Sequence, residues 1–182
     1  MAVVFAAMIS PGIASAEPGY DRSCKEGHAC SFGPAWNDPT EHSGCDTRNR
    51  VLAAQLSDVT FRNSRDCKVL SGVLHDPYSG TDIDFTGGSS VEIDHIYPLA
   101  RAWNAGAWQW PLPEREAYAN DMQELLAVSG PLNVAKGDAG LDRWLPPNQG
   151  FRCEYVTLYL GIAAKYDLPI TAAEYRVAAH AC

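Results

Sequence analysis

Apolar and polar positions change rhythm several times along this chain. Val51, Leu52 and Leu56 recur at helical spacing, and Asp46 or Thr47 stands where a helix cap is needed. CKVLSGVLHDPYSGTDIDF, 67–85, then reads as a hairpin: two β-prone runs flank Asp76-Pro77-Tyr78-Ser79-Gly80, a strong turn sequence. VEIDHI, 91–96, predicts a strand, with Val91, Ile93 and His95 on one face and Glu92, Asp94 and Ile96 on the other. Pro98 ends its ladder. Pro113 suits the first turn of a short helix reaching Tyr118, and ELLAV, 124–128, predicts a further strand. After the Ser129-Gly130-Pro131 turn a helix carries Asn133 and Lys136 at i and i+3, and Leu145-Pro146-Pro147-Asn148 breaks it. Tyr155, Leu158, Tyr159 and Ile162 mark an amphipathic helix over 154–166, and Thr171 with Glu174 forms a capping box for the last one. Residues 17–45, rich in Gly, Pro and Ser, read as an irregular N-terminal arm. With no repeat present, the expectation is a single α+β domain with an extra hairpin and C-terminal helices.

Composition adds compartment rather than fold. A hydrophobic fraction of 46% and a charged fraction of 20% are those of a globular chain. The formal net charge of -8 excludes the broad basic footprint of non-specific nucleic-acid binders, though not a small local site. Residues 1–16, MAVVFAAMISPGIASA, carry no charge and end in Ala14-Ser15-Ala16, which predicts a secretory signal peptide cut before Glu17. The run lacks a basic start and is too short to span a bilayer core of roughly 30 Å. Six cysteines fit an exported, disulfide-stabilised chain. Proximity favours Cys24–Cys30, Cys45–Cys67 and Cys153–Cys182. Only Cys24 and Cys30 are close, around His28, and no CxxC exists, so a structural zinc is disfavoured.

The candidate chemistry lies between 91 and 142. Asp94 and His95 close one strand, and Asn133 and Lys136 sit on the helix that follows the next. Taken singly each has an ordinary reading: a satisfied strand histidine, a helix-start asparagine, a solvated lysine. Taken in this order, the Asp94 carboxylate and the Asn133 amide oxygen are hard donors suited to a divalent cation, Mg²⁺ first and Mn²⁺ second. His95 alternates away from Asp94, which suits a general base better than a co-ligand. Lys136 adds a cation beside a phosphate. Glu92 shares the Asp94 face as a supporting or solvent-facing acid. Arg48 and Asn49 either reach the site or serve the helix start. Trp103, Trp108 and Trp110 read as core and lid, without the basic interleaving of a base-stacking platform.

DHIYPLARAW and ELLAVSGPLNVAKGD resemble the HNH, or ββα-metal, endonuclease motif. The nearest likeness is to secreted actinobacterial HNH endonucleases related to the C-terminal domain of modification-dependent restriction enzymes. It extends over GCDTRN, CKVLSGVLHDPYSG, WLPPN and FRCEYV, which is most of the chain after the leader. The resemblance implies an HNH domain over 46–182 with its ββα-metal core at about 91–142. It implies Asp94 and Asn133 as metal ligands, His95 as general base and Lys136 as supporting cation. The pattern's middle asparagine, which braces the loop behind the histidine, falls on Glu124, an acid that cannot donate a hydrogen bond while ionised; Asn120 or Gln123 are the possible substitutes.

The resulting expectation is a secreted metal-dependent endonuclease acting on DNA, with RNA as a second substrate class and little sequence readout. No stable protein partner and no membrane association after leader removal are expected. A degenerate, disulfide-stapled binding module is the main rival, kept open by Glu124. A zinc hydrolase of another class is disfavoured because no second histidine lies at ligand spacing.

Overall fold

The structure, a computed structural model, describes residues 19–39, 42–63 and 67–182. The leader read at 1–16 therefore lies outside the described residues. Helix α1 (Thr47–Gln55) opens where Asp46 accepts the Asn49 N–H at 2.8 Å, the expected cap. Strands β1 (Ser57–Phe61), β2 (Val69–Asp76) and β3 (Thr81–Phe85) form an antiparallel sheet in that order. The β2–β3 hairpin matches the sequence reading, closing at Asp76 opposite Thr81 with Gly80 at φ 74°. Strand β1 has no periodic signature. Four of its five residues are exposed, so backbone pairing with β2 holds it rather than an apolar face.

The second sheet pairs β4 (Val91–His95) with β5 (Leu125–Ser129) antiparallel, from Val91 opposite Ser129 to His95 opposite Leu125. Between them run α2 (Leu99–Asn104), a helix without a periodic signal in the sequence, a 3₁₀ turn at Ala107–Gln109, and α3 (Leu112–Ala119). Helix α4 (Gly130–Lys136) follows β5 without a loop. That junction is tight: a Cβ at Gly130 would collide with the Ser89 carbonyl oxygen, while its N–H donates to the Ser90 carbonyl. Helix α4 is shorter than expected. Gly137, at φ 54°, turns the chain out of the helix well before the Leu145-Pro146 break. Strands β4 and β5 with α4 make the embedded ββα core. Helices α5 (Arg152–Lys165) and α6 (Ala172–Ala181) complete an α+β domain, with the Thr171–Glu174 capping box formed as expected.

Two apolar clusters hold the core. Val51, Leu52, Leu74, Phe85, Val91 and Ile93 fill the space between α1 and the two sheets. The other is aromatic: Tyr78, Tyr97, Tyr118, Tyr155 and Tyr159 are all fully buried, and Phe32 joins them at 1% exposure. Phe32 belongs to the N-terminal arm. The arm has neither helix nor strand among its described residues, yet a buried phenylalanine of this kind contributes about 1.5–3 kcal/mol and packs it onto the domain. Behind the aromatic cluster, Glu174 is fully buried. It accepts from Arg101 Nη2 at 2.6 Å, the Tyr159 hydroxyl at 2.6 Å and the Thr171 N–H at 2.9 Å. The capping-box acid is thus also the anchor between α6, α5 and α2. Disulfides join Cys24–Cys30, Cys45–Cys67 and Cys153–Cys182, the pairs that proximity favoured.

Candidate active site

Strand and helix periodicities meet in register beside the junction of β5 and α4. Glu92 and Asp94 are two apart on one face of β4; Asn133 and Lys136 are three apart on one side of α4. The result is two rungs. Asn133 Nδ2 donates to Glu92 Oε2 at 2.8 Å, and Lys136 Nζ donates to both oxygens of Asp94 at 2.7 Å. Lys136 also reaches the His95 carbonyl at 2.7 Å. Both Lys136 and Asp94 are buried, at 2% and 5% exposure, so their attraction is little screened by water. Desolvation pushes the Asp94 carboxyl up, against the pull of the Lys136 ammonium. A third partner comes from the hairpin turn: the Tyr78 hydroxyl donates to Asp94 Oδ2 at 2.5 Å. Burial, then the Asp94 charge, raises the Tyr78 phenol, so it stays a donor.

His95 lies on the opposite face of β4, as period-2 alternation requires. Its Nε2 is 3.0 Å from the Ala119 carbonyl at the end of α3. A carbonyl only accepts, so Nε2 carries the proton and Nδ1 holds the free lone pair. The ring stacks on Trp36, with centroids 6.0 Å apart and planes 17° apart. Desolvation, and then the nearby Arg22 charge, hold the imidazole well below its ordinary value of 6.5. The neutral base form is therefore the resting form.

Glu124 stands where the HNH pattern carries an asparagine. It is fully buried, and its backbone carbonyl accepts the Ile96 N–H at 2.9 Å. Its carboxyl accepts the Tyr97 N–H at 3.1 Å, so it grips the chain just after His95. The Tyr118 hydroxyl lies 2.9 Å from Glu124 Oε1 and 2.5 Å from the Tyr97 carbonyl. One hydroxyl proton serves only one of these, and the carbonyl has none to give. A protonated Glu124 completes the chain, donating to Tyr118 while Tyr118 donates to Tyr97. Desolvation raises the Glu124 pKa well above 4.5, in agreement. The neutral acid both donates and accepts, as an amide does. Asn120 does not substitute for it: Asn120 Nδ2 donates to the Glu116 carbonyl instead. The linkage sign follows. A folded state that holds this proton more tightly is favoured below pH 4.5 and loses that advantage as pH rises. Glu124→Gln is expected to match the wild type in urea at pH 4 and to exceed it increasingly from pH 5 to 8; a parallel pH dependence for both proteins would disprove the protonated brace.

A cavity of about 330 Å³ opens on these groups, lined by Asp94, His95 and Asn133 and, from the arm, by Tyr20 and Arg22. Arg22 and Trp36 were not singled out in the sequence, since nothing in an irregular, polar stretch marks either as a wall of the site. Tyr78 had a faint signal: a large aromatic inside a turn otherwise made of small and polar residues. Arg48 does not line this cavity. Its Nη2 donates to the Val91 carbonyl at 3.1 Å, at the far end of β4, and Asn49 Oδ1 accepts from the Val69 N–H.

A carboxylate offers about four acceptor positions. Lys136 and Tyr78 take three on Asp94, leaving at most one, and the His95 backbone N–H also acts on that carboxylate. The Glu92 carboxylate turns the Asn133 amide nitrogen toward itself, which leaves Asn133 Oδ1 without a described partner. Among the described residues no group of three or more His, Cys, Asp or Glu side chains could hold a metal ion. Two oxygen donors still fit Mg²⁺, which keeps several waters and is completed by substrate phosphate.

The sequence of GmrSD restriction endonucleases, C-terminal domain, matches residues 46–179. An "Uncharacterized secreted protein" of Arthroderma benhamiae (strain ATCC MYA-4681 / CBS 112371) is 36% identical over 152 residues, covering 82% of this chain and 72% of that one. No solved structure gives a significant match. The ββα core, with Asp94 and His95 at its strand end and Asn133 and Lys136 on its helix, lies wholly inside the matched stretch, and the chain belongs to the GmrSD C-terminal domain family.

Proposed function

We propose that this chain is a secreted, metal-dependent endonuclease that hydrolyses phosphodiester bonds of DNA, with RNA as a second substrate class. The observation that carries the reading is the His95 ring: its proton is committed to the Ala119 carbonyl, and the free Nδ1 belongs to a residue lining the same cavity as Asp94 and Asn133. In that arrangement Nδ1 takes a proton from a water as its oxygen attacks phosphorus and the P–O bond to the leaving oxygen breaks. Asp94 and Asn133 would hold Mg²⁺ or Mn²⁺, which supplies charge stabilisation for the phosphoryl and leaving oxygens. Lys136 and Tyr78 fix the Asp94 carboxylate, Glu92 fixes the Asn133 amide, and Glu124 fixes the backbone behind His95. Secretion is supported by three disulfides, by the leader reading of residues 1–16, and by the name of the Arthroderma benhamiae relative. The catalytic domain on this reading is 46–182, with its core at about 91–142.

One observation favours the rival, a binding module without turnover: Lys136 already occupies both oxygens of Asp94. The oxidised protein, incubated with supercoiled plasmid in Mg²⁺, Mn²⁺ or EDTA, decides between them. Nicking that appears with either cation and stops in EDTA supports the endonuclease; intact plasmid in both metals would leave only the binding module.

A further inference from the structure

Arg22 stands apart from the rest of the cavity wall. It precedes the stretch matched by the family, and it comes from the irregular arm rather than the ββα core. Its guanidinium lies 6.0 Å from the centroid of the Trp36 ring, and Trp36 in turn stacks on His95. The residue is half-buried, and no described carboxylate pairs with it. The acids around the cavity are engaged elsewhere: Asp21 with His28, Asp94 with Lys136, and Asp138, which lines the same cavity, with Arg143 at 3.7 Å. Lys136 is itself spent on Asp94 and does not line the cavity. Among the described residues Arg22 is therefore the uncommitted cation facing Asp94, His95 and Asn133.

The chain around Arg22 is fastened on both sides. Asp21 accepts the Ser23 N–H at 2.9 Å and contacts His28 Nδ1 at 2.6 Å; the Cys30 N–H donates to the Ser23 carbonyl at 3.0 Å. The Cys24–Cys30 disulfide closes the loop that begins two residues after Arg22, and Ser31 N–H donates to the Asp21 carbonyl at 2.9 Å. A half-desolvated guanidinium without a counter-anion is costly unless an anion comes to it. Its planar fork matches two phosphoryl oxygens at once, which an ammonium cannot do.

We infer that Arg22 is a substrate-binding residue, holding a phosphodiester of the nucleic acid against the cavity, and that the hydrogen-bonded arm between Asp21 and Ser31 places it. This rests on reading the cavity as a phosphodiester-cleaving centre, but binding tests it apart from cleavage.

The test uses a fluorescein-labelled 12-base-pair DNA duplex in EDTA, with affinity read by anisotropy from 20 to 200 mM salt. Arg22→Gln is expected to bind roughly tenfold more weakly at low salt, and its log affinity to fall less steeply with log salt, by about one phosphate contact. Arg22→Lys keeps the wild-type salt slope and loses part of the affinity. Lys25→Gln removes a charge from the exposed neighbouring Cys24–Cys30 loop and changes neither. Thermal unfolding of each variant shows whether the arm stays packed. Arg22→Gln binding with wild-type affinity and slope overturns the inference, as does equal loss in Lys25→Gln or absence of wild-type binding at 20 mM salt. Binding that depends on Arg22 in a protein that never nicks plasmid would uphold the inference while removing the nuclease reading.

Discussion

His95→Ala is expected to lower the Mg²⁺-dependent nicking rate of supercoiled plasmid by about 10²–10⁴-fold, the span that positioned general bases contribute. Little stability should go with it. The imidazole makes one hydrogen bond, to Ala119, and one stacking contact, to Trp36, so the fold loses about 1–2 kcal/mol. His95→Gln separates the two functions of the ring. A glutamine amide can still donate to the Ala119 carbonyl but offers no basic nitrogen, so it should fold like the wild type and nick like His95→Ala. Nicking by His95→Ala at wild-type rate would remove the general base and, with it, the assignment of the cavity as a hydrolytic centre.

The second large effect is on stability, in the buried network that joins α6 to α5 and α2. Glu174→Ala leaves Arg101 charged and buried and strips an acceptor from Tyr159 and from the Thr171 N–H. Breaking a buried pair from one side costs about 3–5 kcal/mol. At about 2–4 °C per kcal/mol for a domain of this size, the melting temperature should fall by roughly 10 °C. Glu174→Met with Arg101→Met should recover much of the loss, because no lone charge remains. The pH dependence has its own sign. Hydrogen bonds from Tyr159 and Thr171, with the Arg101 charge, outweigh desolvation and hold the Glu174 carboxyl below its ordinary 4.5. A depressed acid stabilises the fold above that value and loses the contribution as pH falls through its folded pKa. Wild-type stability should therefore decline in acid below about pH 4.5, and Glu174→Ala should lack that part of the decline. An unchanged acid limb in Glu174→Ala would show that the network does not couple to protonation.

What could be read from the sequence follows from which elements carry periodic burial. Strands β4 and β5, the hairpin, and helices α1, α5 and α6 bury one face or both, so alternation, helical spacing and cap residues announce them. Strand β1 does not, because it is held by the ladder to β2 with its side chains in water. The end of α4 depends on the backbone of Gly137, which overrides the stronger-looking proline break downstream. The site divides in the same way. Asp94, His95, Asn133 and Lys136 stand on regular elements, where spacing tells which side chains share a face, and the structure brings Asp94 to Lys136 and Asn133 to Glu92. Tyr78, Trp36, Arg22 and the Ala119 carbonyl reach the site from a turn, an arm and a helix end. Only tertiary contact places them, and no local rule could have done so. Glu124 shows a subtler limit. Its identity was plain, but its protonation was not, and burial rather than sequence turns an acid into the equivalent of an amide.

The three disulfides enclose sequence spans of 6, 22 and 29 residues, and none is anchored in β4, β5 or α4. They clip the periphery: the arm, the entry to β2, and the chain end against α5. A thiol reductant would consequently take the molecule apart in order, edges first, with the ββα centre held by its own packing. The Cys24–Cys30 loop beside Arg22 would lose its covalent closure while Asp94, His95 and Asn133 kept their places. In a reducing compartment such a chain would still look folded by the signals of its centre, yet have lost the covalent clip beside one wall of its cavity.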